Sequence, residues 1–333
     1  MRPTANTYAT IDNLLGPASS RFFGSGFRRV THDVADAVVD QSAGTMTARA
    51  TVSYPADWSL KSAGQLLTPH LSTIDAAIIS VTLTETYLTH VLDLDEDQRR
   101  NMWLSRLVIR AGNTPQEQLA DFAISATNVA TTAHGDTAMS VFDCRVGGLR
   151  TRCEIVHPAG SRRPAPSAVR TPTDLLGDPG SRYYGRGFQT RSHKISNVHL
   201  VPDLSEASAD IRLIDTHLLP DGLGGLHQPS ATVIDGMVVL AQVAQSLLYQ
   251  LDDIPRGRSN TLWMRHVDVV SAVPGSPLPS PLRTSTAITR TRLIDFDGGR
   301  WRTSDWHAQF SDLRFEYRLA HRLPPTSQAE VGR

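Results

Sequence analysis

An α+β fold of two like halves, each an antiparallel sheet wrapped round one buried helix, is what this sequence predicts. Three observations predict it. Most of the chain is written twice, each copy holds one long apolar segment of helical length, and strand-like runs fill the remainder of each copy.

The repeat is plainest at the start. Thr10-Ile-Asp-Asn-Leu-Leu-Gly-Pro-Ala-Ser-Ser-Arg-Phe-Phe-Gly-Ser-Gly-Phe27 returns without a gap 161 positions later as Thr171-Pro-Thr-Asp-Leu-Leu-Gly-Asp-Pro-Gly-Ser-Arg-Tyr-Tyr-Gly-Arg-Gly-Phe188. A period that long is a duplicated domain and not a solenoid unit. At an offset of 160, Pro69, Ile74, Asp75 and Trp103 fall on Pro229, Ile234, Asp235 and Trp263. Farther along, 122–127 resembles 286–291, and Asp143 and Arg145 resemble Asp312 and Arg314, so the offset is expected to grow through loop insertions. Between the copies, Pro158–Arg170 is rich in Pro, Ser and Arg and reads as a linker. The expected organisation is an N-terminal repeat over 1–157, a linker over 158–170 and a C-terminal repeat over 171–325.

The elements follow in the same order in each half. After the Leu-Leu-Gly…Arg-aromatic-aromatic-Gly-x-Gly-Phe segment a short strand is expected, around Arg28–Asp33 and Thr190–Ile195. A period-two stretch comes next, Gly44–Tyr54 and its partner Ala209–Asp215. Ser72–Val91 and Thr232–Leu251 have helical length, no internal proline and apolar residues almost all round, the pattern of a buried helix. Strand-like runs then occupy Met102–Arg110, Gln118–Ala130 and Thr137–Val156, and again Leu262–Val270, Thr284–Phe296 and Trp306–Leu319. A helix wrapped by a long antiparallel sheet is the hot-dog architecture. Two such halves side by side, sheets joined edge to edge and helices together, make a tandem (double) hot-dog.

Composition narrows the function. Lys plus Arg and Asp plus Glu are both 33 of 333 residues, a formal charge of zero that argues against nucleic acid as partner. No apolar run reads as a membrane span, and Met1-Arg-Pro-Thr-Ala-Asn-Thr has no apolar signal core, so a cytoplasmic protein is expected. Cys144 and Cys153 make no disulfide framework and read as reduced structural thiols. There is no Gly-x-Ser-x-Gly, His-Glu-x-x-His, Cys-x-x-Cys or P-loop, so neither a metal nor a cofactor is expected.

The helix starts are the most pointed candidate sites. Leu67-Thr-Pro-His70-Leu-Ser-Thr-Ile-Asp75 and His227-Gln-Pro-Ser-Ala-Thr-Val-Ile-Asp235 each bring a histidine, a proline and an aspartate to the first turn of an apolar helix. Such a start presents free N–H groups and partial positive charge to an oxyanion, and a histidine beside an aspartate can move a proton near neutral pH. His70, Asp75, His227 and Asp235 are therefore the catalytic candidates. The bland alternative is that Asp75 and Asp235 are N-terminal helix caps. The histidines are not equivalent: Ser230 matches His70 and Leu67 matches His227, which suits one competent and one degenerate site. Glu85 is a carboxylate inside an apolar helix, a costly place without a partner or a task. Arg21 and Arg182 suit an anionic substrate, or ion pairs with Asp12 and Asp174. Trp103 and Trp263 open a strand in each half and are expected to pack on the helix. Gly24, Gly26, Gly185 and Gly187 read as sites of close chain approach and not as a phosphate cradle. His32 and His193 recur at the repeat offset and read as structural polar residues.

Several of these residues carry resemblances. His70-Leu-Ser-Thr-Ile-Asp75-Ala-Ala resembles the His-Pro-x-x-Leu-Asp-Ala-Ala segment of double hot-dog polyketide dehydratases. Asp235-Gly-Met-Val-Val-Leu-Ala-Gln-Val-Ala-Gln245 resembles the Pro-Gly-x-x-x-x-Glu-Ala-x-x-Gln helix of fatty-acid dehydratases, with Ala241, and Val81 in the first copy, at the family's glutamate position. The chain as a whole is more similar to the avirulence protein D (AvrD) family, and more distantly to A-factor synthase-type double hot dogs. That likeness rests on Ile11-Asp-Asn-Leu-Leu-Gly…Arg21-Phe-Phe-Gly-Ser-Gly-Phe27, its second copy, the length and the two helices. It implies a biosynthetic acyltransferase of secondary metabolism. A β-ketoacyl group, from an acyl-carrier protein or coenzyme A thioester, would be joined to a hydroxyl of a small keto-sugar or sugar phosphate, as in syringolide- or butenolide-type products. His70 or His227 would then deprotonate the hydroxyl, and Asp75 or Asp235 would orient the histidine or grip the sugar. Other hot-dog chemistry on the thioester alone, and non-catalytic binding of an acyl ligand, are the rival expectations. A double hot dog satisfies the hot-dog pairing as a monomer, and a homodimer of it is also open.

Overall fold

The structure is a computed structural model and describes residues 5–59, 68–160, 171–214, 219–254, 262–274, 278 and 281–324. The first half contains β2 (Thr31–Asp40), β3 (Thr45–Ser53), helix α2 (Thr73–Leu92), short helix α3 (Glu96–Arg100), β4 (Trp103–Arg110), β5 (Phe122–His134), β6 (Thr137–Val146) and β7 (Leu149–Pro158). The second contains short helix α4 (Pro172–Leu176), β8 (Ser192–Val201), β9 (Glu206–Ile214), helix α5 (Val233–Leu251), β10 (Leu262–Ser271), β11 (Leu282–Phe296), β12 (Gly299–Phe310) and β13 (Leu313–Arg322). Strand β1 (Asn6–Thr10) and helix α1 (Asp12–Leu15) precede them.

All strands join one antiparallel 13-stranded sheet in the order β1-β8-β9-β11-β12-β13-β10-β4-β7-β6-β5-β3-β2. The halves meet edge to edge where β10 pairs with β4, with Asp268 opposite Val108. The sheet of each half curls over its own helix, giving the double hot-dog fold. Burial of the two helices explains why the wrap is stable. In α2 only Thr82, His90 and Leu92 escape full burial, and in α5 only Gln245, Gln250 and Leu251. Each buried Leu, Ile, Val or Met contributes roughly 1.5–3 kcal/mol. Both helices start on a capping box: the Ser72 and Thr232 hydroxyls accept from the amides of Asp75 and Asp235, whose carboxylates accept from the cap amides in return. By length and composition α5 could cross a membrane, but 89% of that window is buried inside the protein.

Several expectations need adjustment. The expected run Thr137–Val156 is a hairpin, β6–β7, and the run Trp306–Leu319 is cut the same way into β12 and β13. β1 has no period-two signal of its own length and crosses to pair with β8 of the other half. The repeat register also changes. β5 is bulged between Asn128 and Ala130 and β11 between Ile288 and Arg290, so the offset is still 160 there and 122–127 corresponds to 282–287. Asp143 lies mid-strand opposite Arg152, whereas Asp312 lies in the turn between β12 and β13; the strand equivalent of Asp143 is His307. Chance likeness of short polar strings misplaced both matches. Residues 161–170 of the expected linker lie outside the described residues.

Candidate active site

A cavity of about 190 Å³ opens at the start of α2 and is built by both halves. The first half supplies Arg21, Phe22, Phe23, Trp58, His70, Ser72, Thr73 and the turn after β4 from Ala111 to Gln116. The second half supplies Gln242, Gln245 and Tyr249 from α5, and Leu262, Trp263, Met264 and Arg265 from the start of β10. Aromatic packing fixes the wall. The His70 ring stands edge-on to Trp58 with centroids 6.0 Å apart, and Trp58 packs on Phe22 at 5.3 Å and Tyr54 at 5.2 Å. Gly24 and Gly26 let the aromatic turn fold this tightly: a Cβ at either would meet a backbone oxygen, of Ala18 at 2.2 Å or of Trp58 at 2.1 Å. Gln242 donates to the Phe23 carbonyl at 3.0 Å, tying α5 to that turn, and Gln245 donates to the Tyr249 hydroxyl.

Behind this wall Asp75 is buried in a polar knot. Its Oδ1 lies 2.8 Å from His32 Nε2, and its Oδ2 accepts from the Ser72 amide and hydroxyl at 2.8 Å and from the Tyr54 hydroxyl. The Tyr54 hydroxyl also reaches the His70 carbonyl oxygen at 3.0 Å. Burial by itself would raise the Asp75 carboxyl; the contacts from His32, Tyr54 and Ser72 outweigh it and hold the group below its ordinary value. Burial and the Asp75 charge push the Tyr54 hydroxyl well above its ordinary value.

The second half repeats the knot with one addition. Asp235 lies 2.7 Å from His193 Nε2 and 2.7 Å from an Arg191 guanidinium nitrogen, and accepts from the Tyr183 hydroxyl at 3.1 Å. Arg191 stacks over the Tyr183 ring at 4.8 Å. In the first copy Val30 stands where Arg191 does. Burial opposes ionisation of Asp235 too, yet Arg191 and His193 hold its carboxyl far below the usual range.

The site at the start of α5 is much smaller. Its cavity is about 40 Å³ and is lined by Trp103, Leu223, His227, Ser230 and Thr232 among others. Leu223 is one of its walls: its amide donates to Glu85 Oε1 at 3.0 Å, and Arg182 lies 3.6 Å from the other oxygen of Glu85. Burial raises the Glu85 carboxyl despite Arg182 and the Leu223 amide, which act to lower it. The turn that carries Leu223 depends on Gly222, whose φ of +66° and whose missing Cβ, 2.8 Å from Glu85 Oε1, admit no larger residue.

The sequence candidates are thus divided. His70, Arg21 and Trp263 line the open cavity. His227 and Trp103 line the smaller one, their rings edge-on at 6.2 Å. Neither aspartate orients its expected histidine; His32 and His193 occupy those positions, because strands β2 and β8 run beside the helix starts. Glu85 and Arg182 pair with each other beneath the Leu223 turn, and Asp174 is taken by its own cap at Thr171. Arg21 pairs with Asp12 as one expectation had it. Trp263 packs on Trp301 of β12 at 5.4 Å. Tyr54, Gln242, Gln245 and Tyr249 were not singled out as site residues; Gln245 was visible as the counterpart of Glu85, while nothing local marks Tyr54. Cys144 and Cys153 are free and buried. Among the described residues no cluster of His, Cys, Asp and Glu could hold a metal ion.

The family profile of the Pseudomonas avirulence D protein (AvrD) matches residues 6–324. The chain belongs to the AvrD family. No curated protein matches the sequence at a significant level. Among solved structures, this AvrD-family chain is similar to a hot-dog protein of unknown function from Alicyclobacillus acidocaldarius, at 13% identity over 88% of this chain and 98% of the other, with a TM-score of 0.39. It is similar to an acyl-CoA thioesterase II from Mycobacterium marinum, at 11% identity over 87% and 96%, with a TM-score of 0.37. It is also similar to an acyl-ACP thioesterase from Bacteroides thetaiotaomicron, at 10% identity over 85% and 100%, with a TM-score of 0.40. Likenesses this distant carry no argument about activity; the AvrD match, over nearly the whole chain, is the one that bears on function.

Proposed function

We propose that this AvrD-family protein is a β-ketoacyl transferase that joins an acyl group, delivered as a thioester, to a hydroxyl of a small keto-sugar or sugar phosphate. The observation that carries the reading is the open cavity at the start of α2. It is shared by both halves, walled by Phe22, Phe23, Trp58, Trp263 and Met264, and furnished with His70, Gln242 and Gln245. Apolar walls with a few convergent polar groups suit a fatty chain that ends in a reactive polar carbonyl. Family membership supports the class of product, syringolide-type acyl glycosides.

In this reading His70 takes the proton from the acceptor hydroxyl as that oxygen attacks the thioester carbonyl carbon. The first-turn amides of Thr73 and Ile74, which have no acceptor within their own helix, stabilise the oxyanion. The carbon–sulfur bond then breaks, and the proton passes from His70 to the leaving thiolate. Asp75 acts one layer back, holding Tyr54, whose hydroxyl grips the His70 carbonyl. Arg21 holds a phosphate if the acceptor carries one. The test is mass spectrometry of the protein incubated with a β-ketoacyl thioester, with and without xylulose, xylulose phosphate or dihydroxyacetone phosphate. An acyl–sugar mass that requires both substrates is expected. Thioester loss without an acceptor would replace this reading with a hydrolase or dehydratase, and no change in any tube would leave a binding protein.

A further inference from the structure

Pairing in the sheet places like charges directly opposite one another on its outer face, at the strand ends beside the larger cavity. Arg145 of β6 faces Arg150 of β7, Arg150 faces Arg110 of β4, and Arg110 faces His266 across the seam in β10. The chain neighbours Ala111, Leu149 and Arg265 line the cavity itself. Arg110, Arg145 and Arg150 are exposed, and partners in register stand about 4.8 Å apart on one face. Like charges directly opposite destabilise a sheet. Two positions along, the chain does what stability favours: Asp143 meets Arg152 at 2.7 Å and Asp268 meets Arg106 at 2.7 Å. Among the described residues, no carboxylate lies within ion-pair reach of Arg110, Arg145 or Arg150; Asp143 feels Arg110 but is held by Arg152.

The duplication supplies an internal comparison. In the second half, beside the smaller cavity, the equivalent positions are Gln309, Arg314 and Val270. The cationic row therefore accompanies the larger cavity and not the smaller one. It lies on an open sheet face and none of its three arginines lines a cavity, so it is not shaped for a nucleotide, which needs a concave site. It is shaped for an extended acidic surface.

We propose that Arg145, Arg150 and Arg110 form the landing strip for an acidic acyl-carrier protein, which feeds its thioester-bearing arm past Ala111 and Leu149 into the cavity. This rests on the acyl-transfer reading for the identity of the cargo. The deciding experiment uses the full chain and a bacterial fatty-acid carrier protein loaded with a β-ketooctanoyl group. Carrier binding is followed by fluorescence anisotropy against salt. Turnover is followed with the carrier thioester, the coenzyme A thioester and the small uncharged N-acetylcysteamine thioester. Combining Arg110→Ser, Arg145→Ser and Arg150→Ser is expected to weaken carrier binding and raise its KM about tenfold, with N-acetylcysteamine turnover and thermal stability retained. Arg314→Ser, beside the smaller cavity, is expected to change neither. Carrier binding that ignores the triple substitution, or no binding by the unaltered protein at low salt, overturns the proposal. An equal rise in KM for the coenzyme A thioester also overturns it and assigns the row to nucleotide phosphates. Binding is read without turnover, so failure of the acyl-transfer reading would not mask the result.

Discussion

His32 Nε2 lies 2.8 Å from Asp75 Oδ1, one strand away from the helix start that the aspartate caps. The pair recurs as His193 and Asp235. The two histidines also cross the joint between the halves: His32 packs on Phe188 and His193 on Phe27, each at 6.1 Å, while Phe27 and Phe188 stack at 6.3 Å. Asp75 and Asp235 thus anchor each helix to its strand and each half to the other.

Unequal stability losses follow from the Arg191 addition. Asp235→Ala leaves a fully buried guanidinium without its carboxylate and should cost about 3–5 kcal/mol. Asp75→Ala loses a cap and its hydrogen bonds from His32, Tyr54 and Ser72 but strands no buried guanidinium, and should cost about 2 kcal/mol. Urea denaturation of the two variants checks the order, and equal losses would contradict it.

Acid sensitivity has a definite sign. Asp75 and Asp235 are both held below their unfolded value, so their contribution is complete above about pH 4 and is lost as pH falls through their folded values. Glu85, raised by burial, works the other way: it favours the folded state below its unfolded value and loses that contribution as pH rises through the folded one. Unfolding free energy should fall below about pH 4, and Asp235→Asn should flatten that decline. An acid limb as steep in the variant would contradict the assignment.

The Leu223 turn at the smaller cavity can be tested without touching the larger one. Gly222→Ala forces a side chain into φ +66° and into Glu85 Oε1, and should cost about 1–3 kcal/mol of stability. Turnover per folded molecule should not change. A loss of activity larger than the loss of folded protein would mean that the smaller cavity takes part in catalysis.

The two strand-opening tryptophans should separate in kinetics. Trp263→Ala removes a wall of the open cavity and is expected to raise KM for the acyl donor about tenfold. Trp103→Ala, at the smaller cavity, should leave KM unaltered. Equal effects on KM would argue against a single working cavity.

Much of the fold is legible in the sequence because the duplication reports it twice. Both buried helices, their caps at Asp75 and Asp235 and most strands follow from apolar length and period. β1 is hidden because its partner β8 lies about 190 residues away, as Asn6 opposite Leu200 shows, and pairing at that distance leaves no local signal. The site is half legible. His70 and Trp263 are marked by their place beside the repeat. The histidine partners of the aspartates were present at the repeat offset, but which strand crosses a helix start is decided by sheet order and not by spacing. The Leu223 wall of the smaller cavity depends on a turn at Gly222, and no motif in the sequence marks that turn.

The most direct measurement is acyl–sugar formation by His70→Ala and His227→Ala, assayed side by side with the unaltered protein. Loss of the general base at the open cavity is expected to lower kcat by about 100-fold or more in His70→Ala. His227→Ala is expected to keep the rate of the unaltered protein. Full turnover by His70→Ala, with loss in His227→Ala or in neither, would contradict chemistry at the start of α2.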